Sequence, residues 1–301
     1  MNKLLLGSMA IIALAVASSA NAADMPVKAP PIQPPPATTF SWTGFYVGGN
    51  VGYGWEDPTV TFTPNDSAAL AATCGGFDGS TCAPPNSFSA TSGLGGIQVG
   101  YNWQVNRDWL LGVETDFDGS HFSGTGTSNF LMLPLAPPGA PGGPANFVDS
   151  QNVNWFGTVR ARVGFLPSDR LLVYGTGGFA YGRVSENVAV NAPFGTNVGS
   201  GVPGAFYAFG CDSPGGANCF LGYSSRIATG WAAGAGFEYA LWQNLSLKAE
   251  YMYINLGGDH VNVVATTPVI SPNIPASFTA AFSRLDFNIV RVGLNWKFSG
   301  P

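Results

Sequence analysis

Charge is what this sequence has least of. Asp, Glu, Lys and Arg supply 10% of its 301 residues, against roughly a quarter in soluble globular proteins. Positive charge is the scarcer sign, with 12 Lys and Arg against 17 Asp and Glu and a net charge of −5. That balance argues against a nucleic-acid partner, which needs a basic footprint. Histidine is rarer still, only His121 and His260, so His-based catalysis or metal binding has little to draw on. Long apolar runs are also lacking. After Val16 no uninterrupted run reaches the roughly 18 residues that a membrane helix requires.

The start of the chain sets the compartment. Met1-Asn2-Lys3 is basic, Leu4 to Val16 is apolar, and Ser18-Ser19-Ala20-Asn21-Ala22 ends in small residues. This is the layout of a secretory signal peptide over residues 1–22, with cleavage after Ala22. Residues 23–41 follow as a leader, with six prolines between Pro26 and Pro36. Prolines cannot join a sheet ladder, so an extended periplasmic linker is expected. A contact with peptidoglycan is the other reading of this segment.

From residue 42 to 301 the abundant features are glycine (41 residues), aromatics (13%) and strict alternation. Phe45, Val47, Val51 and Tyr53 alternate with Tyr46, Gly48, Asn50 and Gly52. Ile97, Val99, Tyr101 and Trp103 alternate with Gln98, Gly100, Asn102 and Gln104. The same pattern recurs at Trp109–Phe117, Trp155–Phe165, Trp231–Tyr239, Leu245–Tyr253 and Val290–Phe298. Leu171 to Gly182 is strand-like too, but its glycines leave the parity ambiguous. Side chains point to opposite faces at period two, so eight strands are predicted, each with one greasy and one polar face.

Connection lengths separate a barrel from a soluble sandwich. Short connections fall at 105–107, 166–169 and 240–244, and long ones at 57–92, 120–150, 186–223 and 258–284. Short periplasmic turns alternating with four long extracellular loops are the habit of outer-membrane barrels. The fold class expected is therefore all-β: a transmembrane antiparallel up-and-down β-barrel of eight strands, with both termini periplasmic. The aromatics near strand ends, Trp103, Trp109, Phe165, Tyr239 and Trp296, suit the membrane interface.

With the greasy parity facing lipid, the other parity lines the lumen. It carries Glu114, Asp116, Arg160, Arg162, Glu238, Lys248, Glu250, Arg291 and Lys297. An eight-stranded barrel is just wide enough for side chains to fill it. Glu114 or Asp116 with Arg160 or Arg162, and Glu250 with Arg291, would then form a salt-bridged plug. A charged constriction in a narrow solute channel is the alternative.

Cys74 and Cys82 lie in the first long loop, and Cys211 and Cys219 in the third. In an oxidising compartment each pair is expected to staple its own loop, although swapped connectivity stays open. No metal site is expected, because no histidine lies near either pair. His121 has Asp118, Ser120 and Ser123 beside it. Sequence neighbours on a strand point in opposite directions, however, so no catalytic residues are expected, and no cofactor.

Certain stretches resemble the outer-membrane immunogenic proteins of alphaproteobacteria, within the OmpA-like group of eight-stranded barrels. They are Ala22-Ala23-Asp24, Trp42-Thr43-Gly44-Phe45-Tyr46-Val47-Gly48-Gly49, Trp155-Phe156-Gly157-Thr158-Val159-Arg160-Ala161-Arg162, Tyr174-Gly175-Thr176-Gly177-Gly178, Gly230 to Tyr239, and Val290-Arg291-Val292-Gly293-Leu294-Asn295. The resemblance implies a surface-exposed, porin-like envelope protein of the cell outer membrane with no enzymatic role. Its partners would be membrane lipid, lipopolysaccharide and the barrel-assembly machinery, and some relatives are linked to haem or host-surface ligands. Assembly would read the last strand through Trp296 and Phe298, although here Ser299-Gly300-Pro301 follows that aromatic. Three roles stand: a structural and surface-interaction protein, a narrow channel, or a loop-borne receptor or adhesin.

Overall fold

The computed structural model describes residues 40–66, 84–132, 143–191, 220–266 and 277–298, all within one compact unit, Thr39–Pro301. The segment 1–22 expected to be a signal peptide, residues 23–39 of the expected leader and all four cysteines lie outside the described residues. Twelve strands occur among the described residues: β1 (Gly44–Glu56), β2 (Thr59–Pro64), β3 (Asn86–Ser87), β4 (Ala90–Gln104), β5 (Trp109–Met132), β6 (Gly143–Ser168), β7 (Leu171–Asn191), β8 (Phe220–Ala240), β9 (Leu245–Asn255), β10 (Asp259–Ala265), β11 (Ser277–Phe282) and β12 (Asp286–Lys297).

Eight of these strands close into a ring. β1 pairs with β4, then β5, β6, β7, β8 and β9 follow in order. β12 pairs with β9 and returns to β1, with Val51 opposite Val292. Every pairing is antiparallel. Closure leaves the ring no free edge, which is what lipid demands of a sheet.

The alternation sorts the two faces as the sequence pattern predicts. Val51 is 68% exposed and Val113 59%, whereas Asn50 and Glu114 beside them are buried. Exposed apolar side chains around buried charged ones invert the pattern of a soluble protein. The ambiguous strand is settled as well: Val173 and Phe179 of β7 face out, while Leu172, Tyr174 and Ala180 face in.

Aromatic rings bound the greasy belt. The lower rim has Phe45 against Tyr101 and Trp109 against Phe165. The upper rim runs through Phe117, Trp155, Tyr181 and Phe179, and resumes at Trp231 and Tyr253. Trp155 and Phe165 are ten residues apart on one strand. At about 3.3 Å per residue and a barrel tilt near 40°, that places the rims about 25 Å apart, the height of an outer-membrane apolar band.

The ends differ. At the lower end, β4 turns into β5 through Asn106, whose side chain accepts from the Asp108 and Trp109 amides at 2.9 Å each. Such an Asx turn is the reason Asn is favoured there. β6 and β7 are joined by Asp169-Arg170, and β8 and β9 by Leu241–Asn244.

The upper end corrects the expected loop boundaries. The segments 120–150 and 186–223 read as loops, yet β5 runs to Met132, β6 starts at Gly143, β7 runs to Asn191 and β8 starts at Phe220. Register shifts at Gly119/Phe122 and Val153/Trp155 mark where the two tallest strands leave the belt. The segments 57–92 and 258–284 contain β2, β3, β10 and β11. These form a small flap in the order β10-β11-β2-β3, joined to the wall by two residue pairs, Val264 with Leu221 and Ala265 with Phe220.

The interior is layered. Trp42, Leu110, Leu166 and Leu172 make a floor, with Phe40 against it. Above it lies the charged layer described below. Phe122, Phe156, Met252, Ile254, Phe287 and neighbours form an apolar layer above that. Gln151 and Glu186, and Asn86 with Asp149, follow in the extension. The rings of Phe62, Phe147, Phe220 and Phe278 then fasten the flap to the wall.

Candidate functional site

The polar parity of the barrel brings the candidate charges together at mid-height. β5 contributes Glu114, Asp116 and Asp118, β6 Arg160 and Arg162, β8 Glu238, β9 Lys248 and Glu250, and β12 Arg291. Three opposite-charge pairs face each other directly across neighbouring strands: Glu114 with Arg160, Glu238 with Lys248, and Glu250 with Arg291.

Further contacts join these groups along neighbouring strands and, between β6 and β9, β9 and β5, and β12 and β5, across the lumen. Arg160 reaches Glu114 at 2.6 Å, Asp116 at 2.7 Å and Glu250 at 3.0 Å. Arg291 reaches Asp116 at 2.7 Å, Asp118 at 2.9 Å and Glu250 at 2.7 Å. Lys248 lies 2.8 Å from Glu114. Arg162 meets Glu114 at 3.3 Å and Glu238 at 3.1 Å, donates to the Tyr46 hydroxyl oxygen at 2.7 Å, and stacks 3.9 Å from the centre of the Tyr174 ring. Asn295 donates to Glu238 at 2.8 Å, and Ser246 donates to it as well.

The charged side chains of the layer are 0% exposed except Glu238 at 3%. Taking each charge out of water costs several kcal/mol, so the layer holds only because each group has partners. Four bases meet five carboxylates. The space they need comes partly from the wall. A Cβ at Gly100 would collide with the Tyr46 hydroxyl and one at Gly236 with that of Tyr174, so glycine seats both rings.

Lys297 is placed elsewhere. It donates to the Ser41 carbonyl and lies 4.7 Å from the centre of the Phe40 ring, at the lower mouth. Three members went unrecognised in the sequence. Asp118 shares the parity of Glu114 and Asp116, a signal that was available. Tyr46 stood on the polar parity of its strand but carries no formal charge, and Tyr174 lay on the strand whose parity the glycines left ambiguous. Asp118 is turned inward to Arg291, whereas His121 is exposed, so no acid–base pair forms there.

A second polar cluster latches the flap above the belt. Arg226 of β8 lies 2.8 Å from Asp259 of β10, Ser224 donates to Asp259 at 2.9 Å, and Gln151 donates to Glu186 at 2.9 Å. Burial, then the hydrogen bond to Asp259, pushes Glu186 up to about 7, and burial pushes Asp149 up to about 6. Burial works against the charge of Asp259, but hydrogen bonds from Glu186, the His260 amide, Ser224 and Arg226 hold it down to about 2.

The signs follow from linkage. Glu186, with an ordinary value of 4.5, stabilises the latch below that value and loses its contribution as pH rises through about 7. Asp259, with an ordinary value of 3.8, contributes above it and fails as pH falls toward about 2. The flap is therefore expected to be held best near pH 4–5. Hydrogen exchange of residues 259–265, corrected for intrinsic rate, should show more protection at about pH 5 than at about pH 8. Equal protection would mean that these carboxyls do not govern closure.

Comparison with known proteins adds the family. The model of the outer membrane protein beta-barrel domain matches residues 9–298. The chain belongs to that family. The 31 kDa outer-membrane immunogenic protein of Brucella melitensis biotype 1 is 37% identical over 298 residues, covering 96% of this chain and 98% of the relative. The 25 kDa outer-membrane immunogenic protein of Brucella abortus biovar 1 is 24% identical over 302 residues, covering 97% and 99%. Among solved structures, Neisserial surface protein A is 15% identical with a TM-score of 0.32, over 85% of this chain and 98% of that one. As a member of this family, the chain is an outer-membrane β-barrel protein, which is what its inverted faces require.

Proposed function

We propose that this protein is a closed barrel with a structural and surface-interaction role in the cell envelope, carrying no catalytic step. The short turns and both termini face the periplasm, and the tall extension with its flap faces the exterior. The observation that carries the reading is the lumen itself, filled across its width by ion-paired side chains that solvent does not reach. Apolar layers lie below and above. Trp296 and Phe298, 53% and 55% exposed at the end of the closing strand, are where the assembly machinery would engage the barrel.

A planar lipid bilayer containing the refolded protein tests this. No unit conductance steps are expected, for the wild type or for Asn102→Ala at the lower margin of the charged layer. Insertion is verified by protease resistance of the belt. Reproducible unit steps whose ion preference reverses in Arg160→Glu would make the protein a channel instead.

A further inference from the structure

Outside the belt, the wall changes chemistry in a definite order. On β7 the outward positions run from Phe179 and Tyr181 at the upper rim to Arg183, then Ser185 and Asn187. On β8, Ile227, Ser225 and Tyr223 stand opposite Arg183, Ser185 and Asn187. The two serine hydroxyls lie 3.1 Å apart, and Tyr223 is 65% exposed above them. The outward positions of β5 and β6 at the same height, 121–129 and 146–154, hold Ser, Thr, Asn, His and Val but no Asp, Glu, Lys or Arg. Arg183 is thus the one Lys, Arg, Asp or Glu on the outward face of these four extended strands.

We propose that this face of β7 and β8 binds the saccharide of a membrane glycolipid, with Arg183 beside its phosphate and Tyr223, Ser185, Ser225 and Asn187 against its neutral sugars. The sequence apolar belt, aromatic rim, cation, hydroxyl and amide wall repeats the order acyl chain, interface, phosphate, sugar along such a lipid. The strands are continuous from belt to extension, so a lipid seated on the belt carries its headgroup along this surface. Guanidinium suits phosphate, and hydroxyls, amides and an exposed ring suit uncharged sugars. A polyanionic partner would need more cations than one. A protein partner would need a more continuous apolar centre than Ile227, Tyr223, Leu221 and Val264 provide, interrupted as they are by Ser225, Ser185 and Asn187.

The inference rests on the proposed orientation, and its test does not. The full chain is placed in lipid nanodiscs made either of lipopolysaccharide with its core oligosaccharide or of lipid A alone, so both disc faces carry the same lipid. Hydroxyl-radical labelling then reads Tyr223 at the upper end and Trp242, 67% exposed, at the lower end. Labelling of Tyr223 is expected to fall about tenfold in the oligosaccharide discs, equivalent to about 1.4 kcal/mol of binding, with Trp242 little changed. Ser225→Glu, folded by gel heat-modifiability, should abolish the protection.

Equal loss at both residues means a sugar coat without a binding surface, and no loss at Tyr223 means no contact. Either overturns the inference. So does equal protection when soluble deacylated oligosaccharide is added to lipid A discs, since the ligand would then not be the membrane lipid. Protease cleavage of the upper end in intact cells tests orientation separately.

Discussion

Arg160→Leu should destabilise the barrel by about 3–5 kcal/mol, the usual consequence of breaking a buried ion pair from one side. Arg160 holds Glu114, Asp116 and Glu250 at once. Leucine would leave five carboxylates facing Arg162, Lys248 and Arg291. Denaturant unfolding in micelles, followed by tryptophan fluorescence, measures the change. Glu114→Gln makes the comparison sharper. It keeps the volume of the central carboxylate and leaves four bases with four acids, so its cost should be smaller than that of Arg160→Leu. If Arg160→Leu costs less than about 1 kcal/mol, within the range of exposed ion pairs, the charged layer is not what holds the lumen closed.

Phe278→Ala should detach the flap while sparing the belt. The Phe278 ring meets Phe62, Phe147 and Phe220, and it is completely buried. Truncating such a ring costs about 3–5 kcal/mol through lost contacts and the cavity left behind. Backbone pairing ties the flap to the wall at two positions only, so the loss falls on local rather than global opening. Hydrogen exchange should accelerate sharply in β10, β11 and β2, with little change in β1, β4 and β12 below the upper rim. Uniform acceleration throughout would show that extension and belt unfold as one unit. Unchanged exchange in the flap would show that its latch, not its aromatic layer, holds it.

The belt was legible because period-two alternation is a local property. Val47 and Val51 must face opposite to Tyr46 and Asn50 wherever the strand lies. The lipid face follows once no apolar run after Val16 reaches the length of a membrane helix. The extension was not legible, for an equally local reason. From Ser120 to Ser128 the inward side offers Phe122 and then Gly124 and Gly126, and the outward side offers His121, Ser123, Thr125 and Thr127. With neither face consistently apolar, no period stands out, and β5 continues because β6 supplies a ladder partner to Met132. The strands β2, β10 and β11 are six or seven residues long and gain their stability from each other and from the Phe62–Phe147 stack.

The same division holds for the charges. The sequence by itself determined that these charges share the inner face, since parity alone puts Glu114, Arg160, Glu250 and Arg291 there. It also put Glu114 or Asp116 next to Arg160 or Arg162, and Glu250 next to Arg291, while the register that sets Glu114 opposite Arg160 and Glu238 opposite Lys248 came with the folded sheet. Only the tertiary structure decided that Lys248 crosses the lumen to Glu114, that Arg291 reaches Asp116 and Asp118 on β5, and that Lys297 stays at the mouth with Phe40. Period and parity are set between residues a few ångströms apart along the chain. Contacts across the lumen exist only after eight strands close, when register and barrel width bring side chains from opposite walls within 3 Å.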